Sequence, residues 1–287
     1  MRLQIVVNPS AGGGRAAKLL PAALIALAEH DVVVTPTVSL EHADSLVAEA
    51  ISADRVVVAM GGDGIVGRVA GVVADLDGVM GLLPGGRGND FARVVGIPRD
   101  ITAACAALTT AVERRVDLGM VGEVAFLGIA SIGFDSEVQE RVLSSRLPLG
   151  QLVYLYGSLI TVARWRHASF TCSVDGVPAP VHGWSFAVAN SGMYGGGMHL
   201  APMASVHDGL LDIVSTSATS RRRFLATLPK LFKGTHITAA EVTVSQGRSV
   251  HLDADRPFRV FADGDPVGTL PATVTVRPGA LRCLLPA

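Results

Sequence analysis

The sequence has few cysteines, almost no net charge and no long uninterrupted apolar run, and each shortage argues against a class of protein. Three cysteines, Cys105, Cys172 and Cys283, are spread over 287 residues, which argues against a disulfide scaffold or a cysteine-based zinc site. The formal net charge is −1. Because polyanion binding needs a basic excess, we expect no nucleic-acid partner.

The longest uncharged and mostly apolar run lies between Arg146 and Arg164. Pro148, Gly150 and Gly157 interrupt it, so it makes a poor membrane-spanning helix. The first residues enter an apolar strand without the charged and apolar regions of a signal peptide. We therefore expect a cytoplasmic protein, which could still touch the inner membrane face peripherally.

The chain is organised around the stretch VVVAMGGDG at residues 56–64. Its valines are β-branched and apolar, which predicts a buried central strand. Gly61, Gly62 and Gly64 can point several amide N–H groups at a phosphate, and Asp63 among them can meet a metal ion or water. A plain strand-to-helix turn explains three glycines about as well.

Two further glycine turns follow apolar strands in the same half of the chain. Residues 8–14 precede an amphipathic helix, and residues 84–93 follow a strand at 79–83. A further helix is predicted over residues 66–74, after the glycines at 61–64. Alternating strands and helices through about residue 115 predict a mostly parallel α/β domain with three layers, whose ligands bind beyond the carboxyl ends of the strands. No Gly-Lys-Ser/Thr follows a glycine run, and no acid ends the strand at 32–35, so neither the P-loop nor the dinucleotide fingerprint is supported.

After Asp117 strand-like runs become frequent, and turns rich in glycine, aspartate or proline separate them. This pattern predicts an antiparallel, β-sandwich-like second domain. The predicted strands cover residues 123–129, 170–174, 184–190, 211–215, 242–244, 251–253, 258–262 and 272–276. Helices are predicted over residues 136–143 and 149–165, and the glycine-rich loop 192–197 is a candidate substrate-proximal loop.

The motifs of the chain form an ordered set: NPSAG at 8–12, GGDG at 61–64, PGGRGNDFAR at 84–93, VDLG at 116–119, SIGFD at 131–135, DGLLD at 208–212 and DGD at 263–265. Together they resemble the soluble diacylglycerol kinase and sphingosine kinase family, in particular its bacterial lipid kinases, over nearly the whole chain. The resemblance implies a NAD-kinase-like α/β domain at 1–117, a β-sandwich lipid-substrate domain at 118–277 and an active site in the cleft between them. Residues 278–287 could return to the first domain.

The resemblance also implies an ATP- and Mg²⁺-dependent kinase that phosphorylates a hydroxyl of diacylglycerol or a related long-chain lipid. Such a reaction needs phosphate donors, a divalent cation and a base for the acceptor's proton. Asp265 falls where the family keeps a glutamate base, and Asp263 is the second candidate. Asp63 and Asp117 would hold the catalytic magnesium, directly or through water. Asp63 is therefore a candidate catalytic residue as well. The positions implied in nucleotide binding are Asn8, Pro9, Ser10, Ala11, Gly12, Thr37, Gly61, Gly62, Asp63, Gly64, Ile65, Val66, Gly67, Arg87, Asn89 and Asp90.

A second ion is implied away from the chemistry. In bacterial relatives, positions matching Ser205, Asp208 and Leu210 bind a structural ion, the outer two through backbone carbonyls. Oxygen ligands of this kind suit magnesium. Without the family, the dipeptide Asp208-Gly209 is more simply explained as a hairpin turn.

The chain departs from the family pattern at several positions. Thr, Asn and Glu usually stand where it has Ile65, Gly67 and Arg68, and Thr where it has Arg87. Arg87 could instead supply a fixed positive charge to the phosphates. Asp265 is one methylene shorter than glutamate. These departures leave open a non-catalytic nucleotide- or lipid-binding relative. An NAD kinase is a second alternative, because it shares the Gly-Gly-Asp-Gly turn and the fold, although Asn8-Pro9 and the motif Gly88-Asn-Asp-Phe91 favour the lipid kinases.

Two stretches could face lipid. The predicted helix over 149–165 could wall a lipid pocket or simply join the core. Residues 221–233 mix five basic and five large apolar side chains and could rest on an anionic membrane surface, although a solvated charged face is a commoner explanation. The high apolar content and the edge strands also fit a homodimer. The predicted helix over 149–165 carries on one face the side chains Leu152, Val153, Tyr156, Leu159 and Ile160.

Overall fold

The computed structural model describes residues 1–145 and 152–287, with Leu152 described by its backbone only. The strands in these ranges are β1 (Arg2–Val7), β2 (Asp31–Pro36), β3 (Val56–Gly61), β4 (Val79–Pro84), β5 (Val112–Val121), β6 (Val124–Phe126), β7 (Ile129–Gly133), β8 (Ala168–Phe170), β9 (Ser173–Val174), β10 (Val177–Pro178), β11 (Val181–Ala189), β12 (Met193–Tyr194), β13 (Met198–His199), β14 (Leu211–Ser217), β15 (Val242–Gly247), β16 (Ser249–Leu252), β17 (Arg259–Ala262), β18 (Asp265–Thr269) and β19 (Ala272–Leu285). The helices are α1 (Ala11–Ala26), α2 (Leu40–Ser52), α3 (Asp63–Asp75), α4 (Asp90–Val94), α5 (Ile101–Thr109), α6 (Phe134–Ser144), α7 (Leu152–Arg164) and α8 (Arg221–Leu231), with a 3₁₀ turn at Thr235–Thr238.

Four strands of the first half form a parallel sheet in the order β2-β1-β3-β4. The two central strands are almost wholly buried, as Ile5 in β1 and Val58 in β3 illustrate. Such strands are aliphatic throughout because helices cover both faces of a parallel sheet. The three glycine turns follow β1, β3 and β4, so they emerge side by side at the carboxyl edge of the sheet.

The long strand β19 connects the parallel strands to the second half of the chain. It runs parallel to β4, where Arg282 pairs with Val79, and antiparallel to β5 and β16. Strands β9 and β10 continue the sheet beyond β16, and β6 pairs with β5. One ten-stranded sheet therefore runs through both halves, a continuity that the change of pattern after Asp117 did not predict.

A second, seven-stranded sheet is antiparallel, in the order β15-β14-β11-β7-β17-β18 with β8 paired to β11. It packs against the antiparallel part of the first sheet. Phe126 and Val274 of the first sheet share one buried core with Phe186 and Val260 of the second. An α/β domain followed by a β-sandwich is thus confirmed as the fold class.

Two element boundaries near the glycine turns differ from the prediction. Helix α3 begins at Asp63 rather than at residue 66, because extended Gly62 precedes it and an acid is favourable in a first helical turn. The strand predicted at 123–129 is split into β6 and β7. The split arises because the amides of Leu127 and Gly128 donate to the carboxylate of Asp263 instead of to a neighbouring strand.

Helix α7 presents much of its apolar surface to solvent. Tyr154, Leu155 and Leu159 are more than half exposed, whereas Gly157 packs against α6 and Thr161 is buried. Of the predicted lipid-facing side chains, Tyr156 and Leu159 are exposed, whereas Val153 and Ile160 are half-buried. The predicted start of the helix at residue 149 lies outside the described residues. In the described ranges, no helix has the length and apolar character needed to cross a membrane.

Candidate active site

Three glycine turns lie together at the carboxyl edge of the parallel sheet. We call residues 8–14 the first glycine turn, residues 61–64 the second and residues 84–89 the third. In the first turn Gly12 and Gly13 have φ values of +63° and +73°, a left-handed conformation that favours glycine. These glycines, together with Gly14, interrupt α1 near its beginning, and its regular part follows this sharp change of chain direction.

The three turns are in backbone contact with one another. The amide of Gly85 donates to the carbonyl of Gly61 at 2.9 Å. A Cβ atom on Gly86 would overlap the backbone of Gly62, and one on Gly12 would lie 2.9 Å from the carbonyl oxygen of Gly85. Any larger residue would separate the turns, so the glycines keep a shallow cradle lined by main-chain groups. Such a cradle fits phosphate groups.

Asn8 organises the first turn. Its Oδ1 accepts hydrogen bonds from the backbone amide and the hydroxyl of Ser10 at 3.1 and 2.7 Å. The backbone amide of Asn8 donates to the carbonyl of Met60. Thr37 lies at the end of the neighbouring strand β2, where its amide donates to the carbonyl of Val7 at 2.8 Å. Asn8 and Thr37 are thus held at the same edge of the sheet as the glycines.

Ile65 and Val66, both predicted to contact nucleotide, have buried side chains. The side chain of Ile65 packs directly on Gly61. Only the backbone of these two residues can therefore face a ligand. The amide of Val66 already donates to the carbonyl of Gly62 at 3.2 Å, so of the two only the amide of Ile65, in the first turn of α3, is left to attract an anion.

The third turn is closed by Asn89. Its Oδ1 accepts from the amide of Gly86 at 2.8 Å and its Nδ2 donates to the carbonyl of the same residue at 2.9 Å. Both ends of this amide are therefore committed to the turn itself. The guanidinium of Arg87 reaches across to the first turn, where its Nη2 lies 3.2 Å from the place a Cβ on Gly13 would occupy.

Asp63 and Asp90 form a buried acidic pair beside the cradle. The Oδ1 of Asp63 accepts from the amides of Asp90 and Phe91 at 2.7 and 3.3 Å, which holds the start of α4 against α3. Burial raises the pKa of Asp63, and the negative charge of Asp90 raises it further. Burial also raises the pKa of Asp90, and one of its oxygens has no hydrogen-bond partner. Arg93, whose Nε lies 3.9 Å from Oδ1 of Asp90, offsets part of this charge. A divalent cation would compensate the rest, so these residues fit a metal ion.

Asp263, one of the two candidate bases, is fully engaged by the backbone. Its carboxylate accepts from the amides of Leu127, Gly128 and Ile129 at 2.9, 2.9 and 3.2 Å. Burial raises the pKa of Asp263 to about 7, and the charge of Asp63 adds to the effect. These bonds make it a structural bridge between the hairpin β17–β18 and the segment joining β6 to β7.

Asp265, the other candidate base, remains free to react. Its carboxylate lies directly against Gly64 of the second turn, where any Cβ would overlap it. The residue is exposed to solvent, and partial burial of its carboxyl group raises its pKa. It thus combines access with a position at the phosphate cradle.

The hairpin β12–β13 with its tip at residues 195–197, which we call the glycine hairpin, reaches the same place from the sandwich. The amide of Gly196 donates to Oδ2 of Asp90 at 2.8 Å. The candidate substrate-proximal loop predicted from its glycines therefore lies beside the acidic pair. Sequence reasoning missed the contact itself, because its partners are 106 residues apart.

Asp117 belongs to a second acidic region, formed with the loop 205–212. Its Oδ2 and Oδ1 accept from the amides of Gly209 and Gly279 at 2.7 and 2.6 Å. Its side-chain contacts are thus with this loop, whereas those of Asp63 are with the start of α4. The predicted pairing of Asp63 with Asp117 around one ion stays a prediction.

The loop 205–212 offers oxygen atoms to a cation. Oδ1 of Asp208 accepts from the amide of Leu210 at 3.0 Å, and Oγ of Ser205 accepts from the amide of His207 at 3.3 Å. Asp212 is buried with one oxygen unpaired, and burial together with the charge of Asp208 raises its pKa. Within residues 1–145 and 152–287, no three His, Cys, Asp or Glu side chains form a ready-made metal site, so backbone oxygens and water would complete the ligands.

Known proteins share both halves of this arrangement. Residues 2–121 match the family described as the diacylglycerol kinase catalytic domain, and residues 128–285 match the YegS C-terminal NAD kinase beta sandwich-like domain. A diacylglycerol kinase of Mycobacterium tuberculosis (strain H37Rv) is 33% identical over 295 residues, which cover 99% of this chain and 95% of that protein. A Pseudomonas putida protein named a YegS-like lipid kinase is 33% identical over 253 residues, 85% of this chain and 82% of that protein. A solved diacylglycerol kinase structure from Bacillus anthracis (strain Sterne) superposes with a TM-score of 0.75 at 21% identity, over 99% of this chain and 96% of that one.

The fold and the glycine cradle define a two-part protein of the kinase type, in which an α/β domain is followed by a β-sandwich. The chain belongs to the diacylglycerol kinase and YegS-like lipid kinase family. The resemblance seen in the ordered motifs is thereby confirmed. The predicted domain boundary at residue 117 stays a prediction.

We expect Gly86→Ala to lower the free energy of unfolding by about 1–3 kcal/mol, because the added methyl group forces the second and third turns apart. Gly268→Ala is the matched control, since open space surrounds Gly268 and we expect a change within about 0.5 kcal/mol. Urea unfolding followed by circular dichroism measures both variants. Equal stability of Gly86→Ala and the unsubstituted chain would contradict the backbone contact.

Proposed function

We propose that this protein is an ATP- and Mg²⁺-dependent kinase that transfers the γ-phosphoryl group to a hydroxyl of diacylglycerol or a related long-chain lipid. The observation that carries the proposal is an accessible carboxylate, that of Asp265, set against a cradle of three glycine turns. Phosphoryl transfer requires mainly positioning and charge stabilisation. The family membership supports a lipid as the acceptor.

The nucleotide's phosphates would bind to main-chain amides of the glycine turns and of the first turn of α3. Asn8 and Thr37 would border the nucleotide on the side of β1 and β2. Arg87 would add a fixed positive charge, which replaces the hydroxyl that the family usually places there. Asn89 would act by holding the third turn closed rather than by touching the nucleotide.

We assign the catalytic magnesium to Asp63, with Asp90 next to it. Bound there, the ion would neutralise charge on the transferred phosphoryl group. Asp117 would support the second ion, because it fixes the backbone of the loop that carries Ser205, Asp208 and Leu210. Magnesium suits both places because the ligands offered are carboxylate and carbonyl oxygens.

Asp265 would be the general base. The acceptor hydroxyl oxygen forms a bond to the γ-phosphorus while the bond from that phosphorus to the bridging β,γ-oxygen breaks. The hydroxyl proton moves to Asp265, and ADP leaves with the electron pair of the broken bond. Asp263 would not compete for this role, because three amides already engage its carboxylate.

We expect Asp265→Asn to lower the rate of lipid phosphorylation by at least about 100-fold with little change in ATP affinity, because the amide cannot accept the proton. The assay follows phosphate from labelled ATP to diacylglycerol, sphingosine, a lipid extract and NAD in parallel, with and without magnesium. Glu123→Gln, at an exposed turn, is the control.

Full activity of Asp265→Asn would remove the base assignment. Labelled NADP would make the protein an NAD kinase, and no product with any acceptor would favour the binding-only alternative.

Arg87→Ala tests the charge at the phosphate cradle. We expect the KM for ATP to rise about tenfold, because a charge-assisted contact to phosphate is lost. Arg99→Ala removes an exposed arginine outside the cradle and should leave this KM unchanged. Steady-state kinetics at saturating lipid measure both values, and an unchanged KM in Arg87→Ala would contradict the assignment.

We also propose peripheral contact of the sandwich with an anionic membrane, where a lipid substrate would be found. Helix α8 buries Phe224 and Leu231 against the sandwich and exposes its basic residues and Phe232. Arg223 is already bound to Glu241 at 2.8 Å. The outward face therefore joins cationic and apolar side chains, as in helices that lie in a membrane interface.

The exposed apolar side of α7 adjoins this face, because Arg221 at the start of α8 donates to the carbonyl of Trp165, just beyond the end of α7, at 3.2 Å.

We expect the triple variant Arg222→Gln, Lys230→Gln, Lys233→Gln to pellet at least several-fold less with liposomes containing phosphatidylglycerol. Its control is Arg99→Gln, Arg114→Gln, Arg248→Gln, which removes the same charge from exposed residues elsewhere. Equal pelleting of the two variants, or equal pelleting with neutral liposomes, would remove the electrostatic contact.

A further inference from the structure

Arg93 lies beside the acidic pair, and no step of the proposed reaction uses it. It stands on α4, three residues after Asp90, and its Nε lies 3.9 Å from Oδ1 of that acid. The same Nε donates to the carbonyl of Gly88 at 3.1 Å. Only 26% of the side chain is exposed, and among the residues that the structure describes the guanidinium makes no other hydrogen bond or ion pair. This cation is therefore held against α4 and the third glycine turn rather than directed to solvent.

Gly88 is the point at which both acids meet the third glycine turn. A Cβ atom on Gly88 would lie 2.8 Å from Oδ2 of Asp63 and 3.1 Å from Oδ2 of Asp90. The two carboxylates thus approach one backbone position, where only glycine leaves room for them. Because Arg93 bonds to the carbonyl of this glycine, it fixes the backbone around which the acids are arranged.

The tip of the glycine hairpin holds Asp90 from the other side. Its glycines at 195–197 have φ values of +61°, +85° and +111°, and backbone amides in such turns can form a concavity that binds an anion. Here the anion belongs to the protein, because Gly196 donates to Oδ2 of Asp90 at 2.8 Å. The residue is 7% exposed, and its Oδ1 has no hydrogen-bond partner. The hairpin therefore encloses Asp90 and leaves one of its oxygens available.

The same tip contacts Arg93. Its Nη1 and Cζ lie 3.5 and 3.8 Å from the place that a Cβ on Gly197 would occupy. A side chain at residue 197 would press on the guanidinium, whereas glycine lets it pass close to the backbone. One short hairpin thus covers both charged residues at the two ends of α4.

The base of the hairpin is fixed within the sandwich. The amides of Asn190 and Ser191 donate to the carbonyl of Gly128 at 2.9 and 3.1 Å. The amide of Gly128 in turn donates to Asp263. The tip therefore follows the sandwich, whereas Asp90 follows the α/β domain. The bond between them forms only when the two parts lie against each other.

We propose that Arg93 and the tip of the glycine hairpin are positioning elements that hold Asp90 beside Asp63, so that the cation site is complete only when the sandwich closes on the α/β domain. Arg93 fixes the third turn, and Gly196 holds one oxygen of Asp90 while the other stays available to a cation. Removing a group that orients a metal ligand changes metal affinity or activity about 10–100-fold. This inference rests on the proposed function for the identity of the cation site, and a cation-binding measurement without ATP or lipid separates the two.

The first test measures Mn²⁺ binding to the full chain by electron paramagnetic resonance, without ATP or lipid, followed by displacement with Mg²⁺. We expect Arg93→Ala to weaken binding at the acidic pair about tenfold. Arg93→Lys should recover part of the affinity, because it keeps the charge but not the forked donors of the guanidinium. Asp208→Asn identifies the ion of the loop 205–212, whose affinity should not respond to Arg93. Arg99→Ala, at an exposed arginine, is the matched control.

The second test follows hydrogen exchange of the hairpin tip by mass spectrometry. We expect peptides containing residues 193–199 to exchange several-fold faster in Arg93→Ala, because the tip loses a packing contact. Gly196→Pro removes the amide that binds Asp90 and should also weaken Mn²⁺ binding about tenfold. Gly176→Pro is its matched control, since it places proline at a similar φ of +79° in the turn between β9 and β10.

Unchanged Mn²⁺ affinity in both Arg93→Ala and Gly196→Pro overturns the inference. An equal loss in Gly176→Pro overturns it as well, because it indicates general destabilisation. If Gly196→Pro fails to fold, Arg93→Ala decides. Mn²⁺ binding that depends on Arg93, together with no phosphate transfer to any lipid by the unsubstituted chain, would sink the proposed function alone. Absence of any cation at the acidic pair overturns this inference, whatever the kinase assay gives.

Discussion

The carboxylate of Asp263 is the interaction on which the geometry of the cleft depends. It accepts three amides from the segment that joins β6 to β7, and it stands at a left-handed φ of +51° in the hairpin that also carries Asp265. One of its oxygens lies 3.1 Å from the place of a Cβ on Gly67 in α3. The carboxylate therefore fixes the hairpin that carries Asp265 to the segment Leu127–Ile129, close beside α3, and its several hydrogen bonds offset the cost of removing it from water.

This contact also gives a physical reason for the departures from the family pattern. Gly67 leaves room for Asp263, where a side chain would press on the carboxylate. Ile65 fills the space above Gly61, and Arg68 is bound to Asp44 on α2 through two hydrogen bonds. The three departures are thus accommodated by packing inside and beside α3. Because the acidic residues around the cradle stay in place, these departures do not by themselves argue against catalytic activity.

How far the sequence predicts this structure depends on how local each signal is. The glycine turns, the buried strand at Val56 and the change to antiparallel strands all follow from short patterns of residue type, and they were predicted. The role of Asn89 in closing its own turn could have been found from the motif as well. By contrast, the partners of Asp117 and Asp263 lie 92 and more than 130 residues away. No local pattern determines which amides a buried carboxylate meets. That Asp263 is bound by backbone amides whereas Asp265 is exposed could therefore be seen only in the folded structure.

The position of β19 has a consequence for how the chain is made. This strand lies next to β4 and β5, and it is the element that joins the parallel strands to the rest of the ten-stranded sheet. During synthesis the α/β half emerges from the ribosome long before residues 272–285, so the edge of β4 that pairs with β19 stays unpaired while the sandwich is translated. The two halves are separate in sequence, but the sheet of the α/β half is complete only when the last strand of the sandwich half has been made.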